Sequence, residues 1–255
     1  MHKFNSDSVE IAFDDAGQGE PILLIHGFAS NGRVNWVDTG WVKLLAEAGF
    51  RVITIDNRGH GESEKLYNPD LYSAPEMAED ARRLLDHLGI GRAHVMGYSM
   101  GARIAAFLTV NHPSRVGSAV FGGLASRMIT GVGGGAEIAR GLEAASLLDV
   151  ADVSARAFRI FAEQTRGDLK ALAACIKSSR VRITEEMLAT IKVPVLVVVG
   201  EKDDVAGEAG PLVAAIPGAK AVTLPNRNHM NAVGDKGYKE AVLTFLRAHL
   251  LRIDN

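Results

Sequence analysis

The five residues Gly97-Tyr98-Ser99-Met100-Gly101 restrict the possible folds of this chain more than any other stretch does. They follow a short apolar run at 93–96, typical of a buried strand, and they precede a helical pattern at 102–108. A serine placed between a strand and a helix without a loop requires a very tight turn with a strained backbone. Glycine two positions before and after the serine removes side chains that would collide in such a turn. The stretch therefore predicts a strand, a tight turn that carries Ser99, and a helix.

Apolar runs and helical patterns alternate along most of the chain. The runs at 22–25 and 195–199 contain no polar residue, which indicates strands that are buried on both faces, as in a parallel sheet. Residues 3–15 alternate weakly and contain turn formers, which favours a short hairpin at the edge. The alternation predicts an α/β fold, with a mostly parallel sheet and helices on both of its faces.

The alternation stops between residues 124 and 191, where the sequence is helical, rich in alanine and without a strand signal. We therefore predict a core formed by residues 1–123 and 192–255, with 124–191 as a helical insertion between two strands. The glycine-rich stretch 131–135 lies inside the insertion. It lacks the lysine of a phosphate-binding loop and does not directly follow a buried strand, so we interpret it as a flexible hinge or lid that enters the insertion.

Composition and charge exclude several classes of function. The chain has 28 basic and 30 acidic residues, and no basic block that would indicate nucleic-acid binding. The single cysteine, Cys175, allows no internal disulfide and suits a reducing compartment. No apolar segment resembles a secretory signal or approaches the roughly 20 residues that span a bilayer. We therefore expect a cytoplasmic protein that binds no membrane and, since no metal ligands cluster in the sequence, no metal and no cofactor.

Chemically active residue types follow several of the predicted strands. The run 22–25 is followed by His26-Gly27-Phe28, and the turn after 93–96 carries Ser99. Asp203 follows 195–199, and His229 follows the strand predicted at 220–224. Ligands of open α/β sheets bind at the carboxyl ends of the strands. The sequence thus predicts a serine, an acid and a histidine, in that chain order, at one edge of the sheet.

This order and placement resemble the α/β-hydrolase family. The similarity covers 20–123 and 193–251, and it rests on four pieces: His26-Gly27-Phe28, the segment from Asp56 to Ser63, the turn around Ser99, and the pair Asp203 and His229. The resemblance implies the α/β-hydrolase fold, a mostly parallel, eight-stranded twisted sheet with helices on both faces. It also implies that 124–191 is a cap over the active site.

The resemblance also implies roles for individual residues. Ser99 on its nucleophile elbow is the nucleophile, His229 the general base, and Asp203 the acid that orients it. Asp204 competes with Asp203, but the spacing after the strand glycine favours Asp203. The oxyanion hole consists of the backbone N–H groups of Phe28 and Met100. Supporting positions are His26, Gly27, Gly97 and Gly101.

The residue type at the nucleophile position indicates the reaction. Relatives that break carbon–halogen bonds or open epoxides have an aspartate there, whereas acyl transfer is the natural chemistry of a serine such as Ser99. The first hypothesis is a hydrolase of a small carboxylic ester or lactone, acting through an acyl-enzyme. Alternatives are a cofactor-free perhydrolase of the haloperoxidase type, a carbon–carbon bond hydrolase, a thioesterase, an acyltransferase, and a ligand-binding sensor on a hydrolase scaffold.

The expected partners are a fairly apolar, small acyl substrate and water as the second substrate. For a substrate with a carboxylate, cationic groups are expected from Arg127, Arg156 or Arg159. The sequence gives no indication of the oligomeric state.

Overall fold

The computed structural model describes residues 1–251 and contains one sheet of eight strands in the order β1-β2-β4-β3-β5-β6-β7-β8. The strands are β1 His2–Ser6, β2 Val9–Ala16, β3 Glu20–Ile25, β4 Phe50–Ile55, β5 Ala93–Tyr98, β6 Val116–Gly122, β7 Val195–Gly200 and β8 Lys220–Leu224. β1 pairs antiparallel with β2, and β2 pairs antiparallel with β4. All other neighbours are parallel. The predicted α/β class with a mostly parallel, eight-stranded sheet is confirmed.

Helices cover both faces of the sheet. The helices outside the β6–β7 connection are α1 Trp41–Glu47, α2 Ala74–His87, α3 Met100–Asn111, α9 Ala209–Ala215 and α10 Lys236–Ala248. Apolar side chains of α1 and α10 pack on one face in a buried cluster. Those of α2, α3 and α9 form a second cluster on the other face. Since each face is buried, the segment 22–25 of β3 and the segment 195–199 of β7 are apolar throughout, as the uninterrupted runs in the sequence predicted.

The connection between β6 and β7 is helical. It contains α4 Ser126–Thr130, α5 Gly135–Glu143, α6 Val153–Gln164, α7 Leu169–Ser178 and α8 Glu185–Ala189. α5 packs against both α6 and α7. α6 and α7 begin after Asp152 and Asp168, whose carboxylates accept backbone N–H groups of the first turn. Across residues 1–251, no helix is both long and apolar enough to cross a membrane.

Candidate active site

The turn at Ser99 is as tight as its two glycines predicted. Ser99 has φ 55° and ψ −114°, a strained conformation for a residue with a side chain. A Cβ at Gly97 would lie 2.0 Å from the carbonyl oxygen of Gly101. A Cβ at Gly101 would lie 2.0 Å from the carbonyl oxygen of Ile25 on β3. Both positions therefore exclude any side chain, and the turn holds the Ser99 hydroxyl at the carboxyl edge of the sheet.

Three side chains from distant parts of the sequence meet at this edge. The Oγ of Ser99 lies 3.0 Å from Nε2 of His229, and Nδ1 of His229 lies 2.9 Å from Oδ2 of Asp203. The Asp203 side chain is fully buried, whereas that of His229 is 13% exposed. A serine joined by hydrogen bonds to an imidazole, and the imidazole to a buried carboxylate, is the arrangement that lets a histidine accept the serine proton.

The carboxylate of Asp203 is fixed by backbone donors as well as by the histidine. Its Oδ1 accepts the N–H groups of Val205 at 3.0 Å and Ala206 at 2.9 Å. The neighbouring Asp204 is exposed and makes no hydrogen bond to His229 within residues 1–251. The structure therefore brings Asp203, and not Asp204, to the imidazole.

Tyr98 holds the backbone of the histidine loop, a role that the sequence analysis missed. Its hydroxyl donates to the carbonyl oxygen of His229 at 2.6 Å. Burial raises the pKa of Tyr98 well above its usual value, so the hydroxyl keeps the proton that it donates. The sequence did contain a signal for this role. Tyr98 directly precedes Ser99 in the tight turn, so its side chain had to lie close to the reacting atoms.

Two backbone N–H groups lie beside the serine without an acceptor of their own. Met100 opens α3 and Phe28 follows β3, and among residues 1–251 neither amide donates a hydrogen bond. A Cβ at Gly27 would lie 3.4 Å from Cβ of Ser99, so the backbone that leads into Phe28 runs directly past the serine. Free N–H groups beside a nucleophile can stabilise an oxyanion.

His26 ties the loop after β3 to the loop after β4. Its ring Nδ1 donates to the carbonyl oxygen of Gly27 at 2.7 Å, and Nε2 accepts the backbone N–H of Asn57 at 2.9 Å. Complete burial lowers the pKa of His26 to about 4, so the ring is neutral at physiological pH and can accept at Nε2. His26 therefore fixes the backbone of Gly27 and does not face the reaction as a base.

Two chambers meet at Ser99. The larger, of about 200 Å³, is also lined by His229 and has a mostly apolar wall formed by Phe28, Val34, Phe158, Phe161, Met230 and Val233. The smaller, of about 30 Å³, is lined by Met100, Arg103, Ile176, Ser179 and Arg180, among others. Both chambers include Phe158 of α6, so the helices between β6 and β7 form part of each wall. The Oγ of Thr165, just after α6, also donates to the carbonyl oxygen of Ala29 at 2.7 Å.

The arginines expected to serve a carboxylate substrate lie elsewhere, and that expectation was wrong. Arg159 is buried inside the helical segment, where it donates to the carbonyl oxygens of Gly141, Leu142 and Ala144. Arg156 donates to the carbonyl oxygen of Leu147. Arg127 lines a groove beside Asp203 that does not include Ser99. Arg103 and Arg180 line the smaller chamber instead.

Within residues 1–251 there is no group of three or more histidine, cysteine, aspartate or glutamate side chains placed to hold a metal ion. Cys175 is buried, with Sγ 3.9 Å from Sδ of Met100, and burial raises the pKa of its thiol to about 12. This cysteine packs behind the site and is not a nucleophile at neutral pH.

The chain is similar in sequence to one family model and to several curated proteins. Residues 20–132 match the model of the alpha/beta hydrolase fold. A Mycobacterium tuberculosis protein named non-heme bromoperoxidase BpoC is 41% identical over 112 residues, which are 44% of this chain and 41% of that one. A 2-hydroxy-6-oxononadienedioate/2-hydroxy-6-oxononatrienedioate hydrolase of Escherichia coli is 36% identical over 118 residues, 46% of this chain and 40% of that one. The chain therefore spans about two fifths of the length of the curated relatives it matches.

A solved structure resembles this chain over nearly its whole length. The crystal structure of a hydrolase from Pseudomonas aeruginosa PA01 superimposes with a TM-score of 0.79 at 27% sequence identity. The superposition covers 96% of this chain and 97% of that one, so it includes the helices between β6 and β7 as well as the sheet.

Proposed function

We propose that this chain, which has the α/β-hydrolase fold, is a serine hydrolase that cleaves a small carboxylic ester or lactone. The observation that carries this proposal is the hydrogen-bonded chain from Ser99 to His229 to Asp203, with distances of 3.0 Å and 2.9 Å. A weak hydroxyl nucleophile needs such a base, and the base needs such an orienting carboxylate.

The proposed reaction has two halves. Ser99 Oγ attacks the carbonyl carbon while Nε2 of His229 takes its proton, and the tetrahedral oxyanion accepts the N–H groups of Phe28 and Met100. When the intermediate collapses, the protonated His229 gives the proton to the leaving oxygen, and an acyl-Ser99 ester remains. Water then attacks this ester with His229 again as the base, which releases the acid and restores Ser99. Asp203 stabilises the imidazolium in both halves.

We further propose that residues 124–191 act as a cap and residues 1–123 with 192–255 as the core, of which 252–255 lie outside the described residues. Support comes from the chamber walls, since Phe158 and Phe161 on α6 face the larger chamber and Arg180, just after α7, faces the smaller one. A cap of this kind sets the size and polarity of the substrate and limits access of water.

A fluorophosphonate probe tests the nucleophile directly. Attack of Ser99 Oγ on the phosphorus expels fluoride and leaves a stable phosphonyl-serine, so we expect one label per chain, located by mass spectrometry on the peptide that contains Ser99. The control is the same protein unfolded before exposure, in which the base is no longer aligned and labelling is lost. Labelling of another residue, or no labelling of folded protein, would contradict the proposal.

A second candidate function is favoured by Arg103 and Arg180. Arg103 is 2% exposed and donates to the carbonyl oxygens of Arg127, Met128 and Val181, yet it has no carboxylate within 4.0 Å among residues 1–251. Burial, together with the charge of Arg180, lowers its pKa to about 10, so it remains a cation at neutral pH. Arg180 donates to the carbonyl oxygens of Val132 and Gly133 and likewise has no ion pair in the described part of the chain.

Burying Arg103 and partly burying Arg180 without an anion is costly, and a bound carboxylate would offset that cost. The Oγ of Ser179 is buried in the same chamber, has no hydrogen-bond partner among residues 1–251, and can donate a further hydrogen bond. We therefore propose, as the second candidate, hydrolysis of a carbon–carbon bond or lactone in a substrate that places a carboxylate in the smaller chamber. The related Escherichia coli enzyme is named for a dicarboxylate substrate.

An Arg180→Met variant distinguishes this candidate. For a substrate with a free carboxylate we expect kcat/KM to fall about tenfold to a hundredfold, since a charge-assisted hydrogen bond contributes about 1.5–3 kcal/mol. For the substrate in which this carboxylate is a methyl ester, kcat/KM should fall little. Arg140→Met, which removes an exposed arginine of α5, is the matched control. Equal losses for the charged and the methylated substrate would rule out a carboxylate site at Arg180.

A further inference from the structure

Asn35 contributes a buried amide to the larger chamber. It lies on a short helical turn, Arg33–Val37, between β3 and α1, and is 6% exposed. Its Oδ1 accepts the backbone N–H of Gly27 at 3.0 Å. Because an N–H must meet an oxygen, this bond fixes the orientation of the amide and leaves Nδ2 as a donor. In the described part of the chain, Nδ2 has no hydrogen-bond partner.

The residue that carries this unpaired donor lines the chamber that contains the serine. Asn35, Ser99 and His229 line the same space. A Cβ at Gly27 would lie 3.4 Å from Cβ of Ser99 and 3.7 Å from Oδ1 of Asn35, so the amide and the nucleophile flank the same backbone atom. A buried amide that lacks an acceptor costs free energy in the empty site, and a ligand oxygen placed there would recover it.

The same chamber is also lined by the hydroxyl-bearing residues Ser30, Thr39 and Tyr98, and the hydroxyl of Tyr98 already donates to His229. The hydroxyl of Thr39 donates to the backbone carbonyl oxygen of Asn35 at 2.7 Å, which commits its proton. Val34, Phe158 and Phe161 supply apolar surface. A substrate held in this chamber thus meets an amide donor set in a mostly apolar wall, which is how a pocket selects for one oxygen.

The position of His229 indicates which part of the substrate meets the amide. His229 returns its proton to the leaving group, and His229 lines the larger chamber but not the smaller one. The leaving group therefore occupies the chamber of Asn35. We propose that Asn35 determines specificity by donating a hydrogen bond from Nδ2 to an ether, carbonyl or hydroxyl oxygen in the leaving group. This inference rests on the proposed serine hydrolase function.

Matched pairs of esters test the proposal. The members of each pair share an acyl group, and their alcohols differ only in an oxygen that replaces a methylene: 2-methoxyethyl with n-butyl, and tetrahydropyran-3-yl and tetrahydropyran-4-yl each with cyclohexyl. For each pair, the ratio of kcat/KM for the oxygen ester to that for the carbon ester is compared between wild type and variant, so intrinsic reactivity cancels. In Asn35→Asp, which keeps the acceptor for Gly27 and loses the donor, the ratio should fall about tenfold for at least one pair.

Two controls separate recognition from structure. Asn35→Leu removes both ends of the amide, so its overall kcat should fall in addition to the same change in ratio, because Gly27 and Phe28 lose their anchor. Val37→Ala alters an exposed residue that lies on the same helical turn but lines neither chamber, and it should leave every ratio unchanged. Ratios that stay within about twofold of wild type for all pairs in Asn35→Asp overturn the proposal.

Binding measurements keep this test independent of turnover. The same pairs are titrated by calorimetry into Ser99→Ala protein with and without Asn35→Asp, and the ratio of Kd values should shift in the same direction. A shift in Kd ratio without ester cleavage by the wild type would refute the proposed hydrolase function and retain the role of Asn35. If the wild type cleaves the esters but Asn35→Asp changes neither the kcat/KM ratio nor the Kd ratio, the hydrolase function stands and the proposed role of Asn35 is refuted.

Discussion

Ser99→Ala is expected to lower kcat for p-nitrophenyl ester cleavage by at least about 10⁴-fold, because loss of the nucleophile of such a triad leaves only the catalysis of the oxyanion hole and of binding. The affinity for substrate should change little, since only one oxygen atom is removed from the chamber wall. The measurement is a steady-state assay over a series of rising acyl length, with single-turnover kinetics to show the loss of acyl-enzyme.

The variant should fold, because alanine can adopt the same strained backbone as serine at φ 55°. Ser8→Ala is the matched control, since Ser8 is an exposed serine that also has a positive φ, 71°, but lies in the β1–β2 turn. Its activity should equal that of the wild type. If the wild type cleaves esters no faster than Ser99→Ala, the hydrolase proposal fails, and a ligand-binding sensor on the same scaffold becomes the better hypothesis.

The sequence predicted the sheet edge well because the physics involved is local. A run such as 195–199 without polar residues, rich in β-branched valine, favours a strand buried on both faces, and parallel strands bring their carboxyl ends to one edge. Residues that directly follow those strands, such as Ser99 and Asp203, must then lie near one another. The two glycines around Ser99 constrain the backbone itself, and steric exclusion of this kind can be derived from five residues.

The chamber walls could not be predicted in this way, because they depend on how short helices pack. Arg159 was expected to face a substrate, yet it satisfies carbonyl oxygens at the C-terminal end of α5, which a helix end leaves without partners. Arg180 lies in the loop after α7, and only the packing of that loop against α3 brings it beside Arg103. Asn35 is a further case, since its importance arises from one bond to Gly27 and one free donor, and neither leaves a pattern in the sequence.

Asp203→Asn is expected to lower kcat by about 10⁴-fold while the fold is retained, as in other triads in which the acid becomes an amide. An asparagine can still accept the N–H groups of Val205 and Ala206 through its oxygen. Its NH₂ group would then face Nδ1 of His229 as a donor, which places the imidazole proton on Nε2. A protonated Nε2 cannot take the proton of Ser99, so the loss should appear in kcat at every substrate concentration.

Asp204→Asn provides the sharpest control for this prediction, because the two carboxylates are adjacent and only Asp203 reaches the histidine. Asp204 is exposed, so its substitution should leave kcat within about twofold of the wild type. A larger loss in Asp204→Asn than in Asp203→Asn would mean that the loop after β7 is shifted by one residue in the working enzyme. Small losses in both would show that His229 acquires its reactive tautomer without a carboxylate, and the proposed triad would reduce to Ser99 and His229.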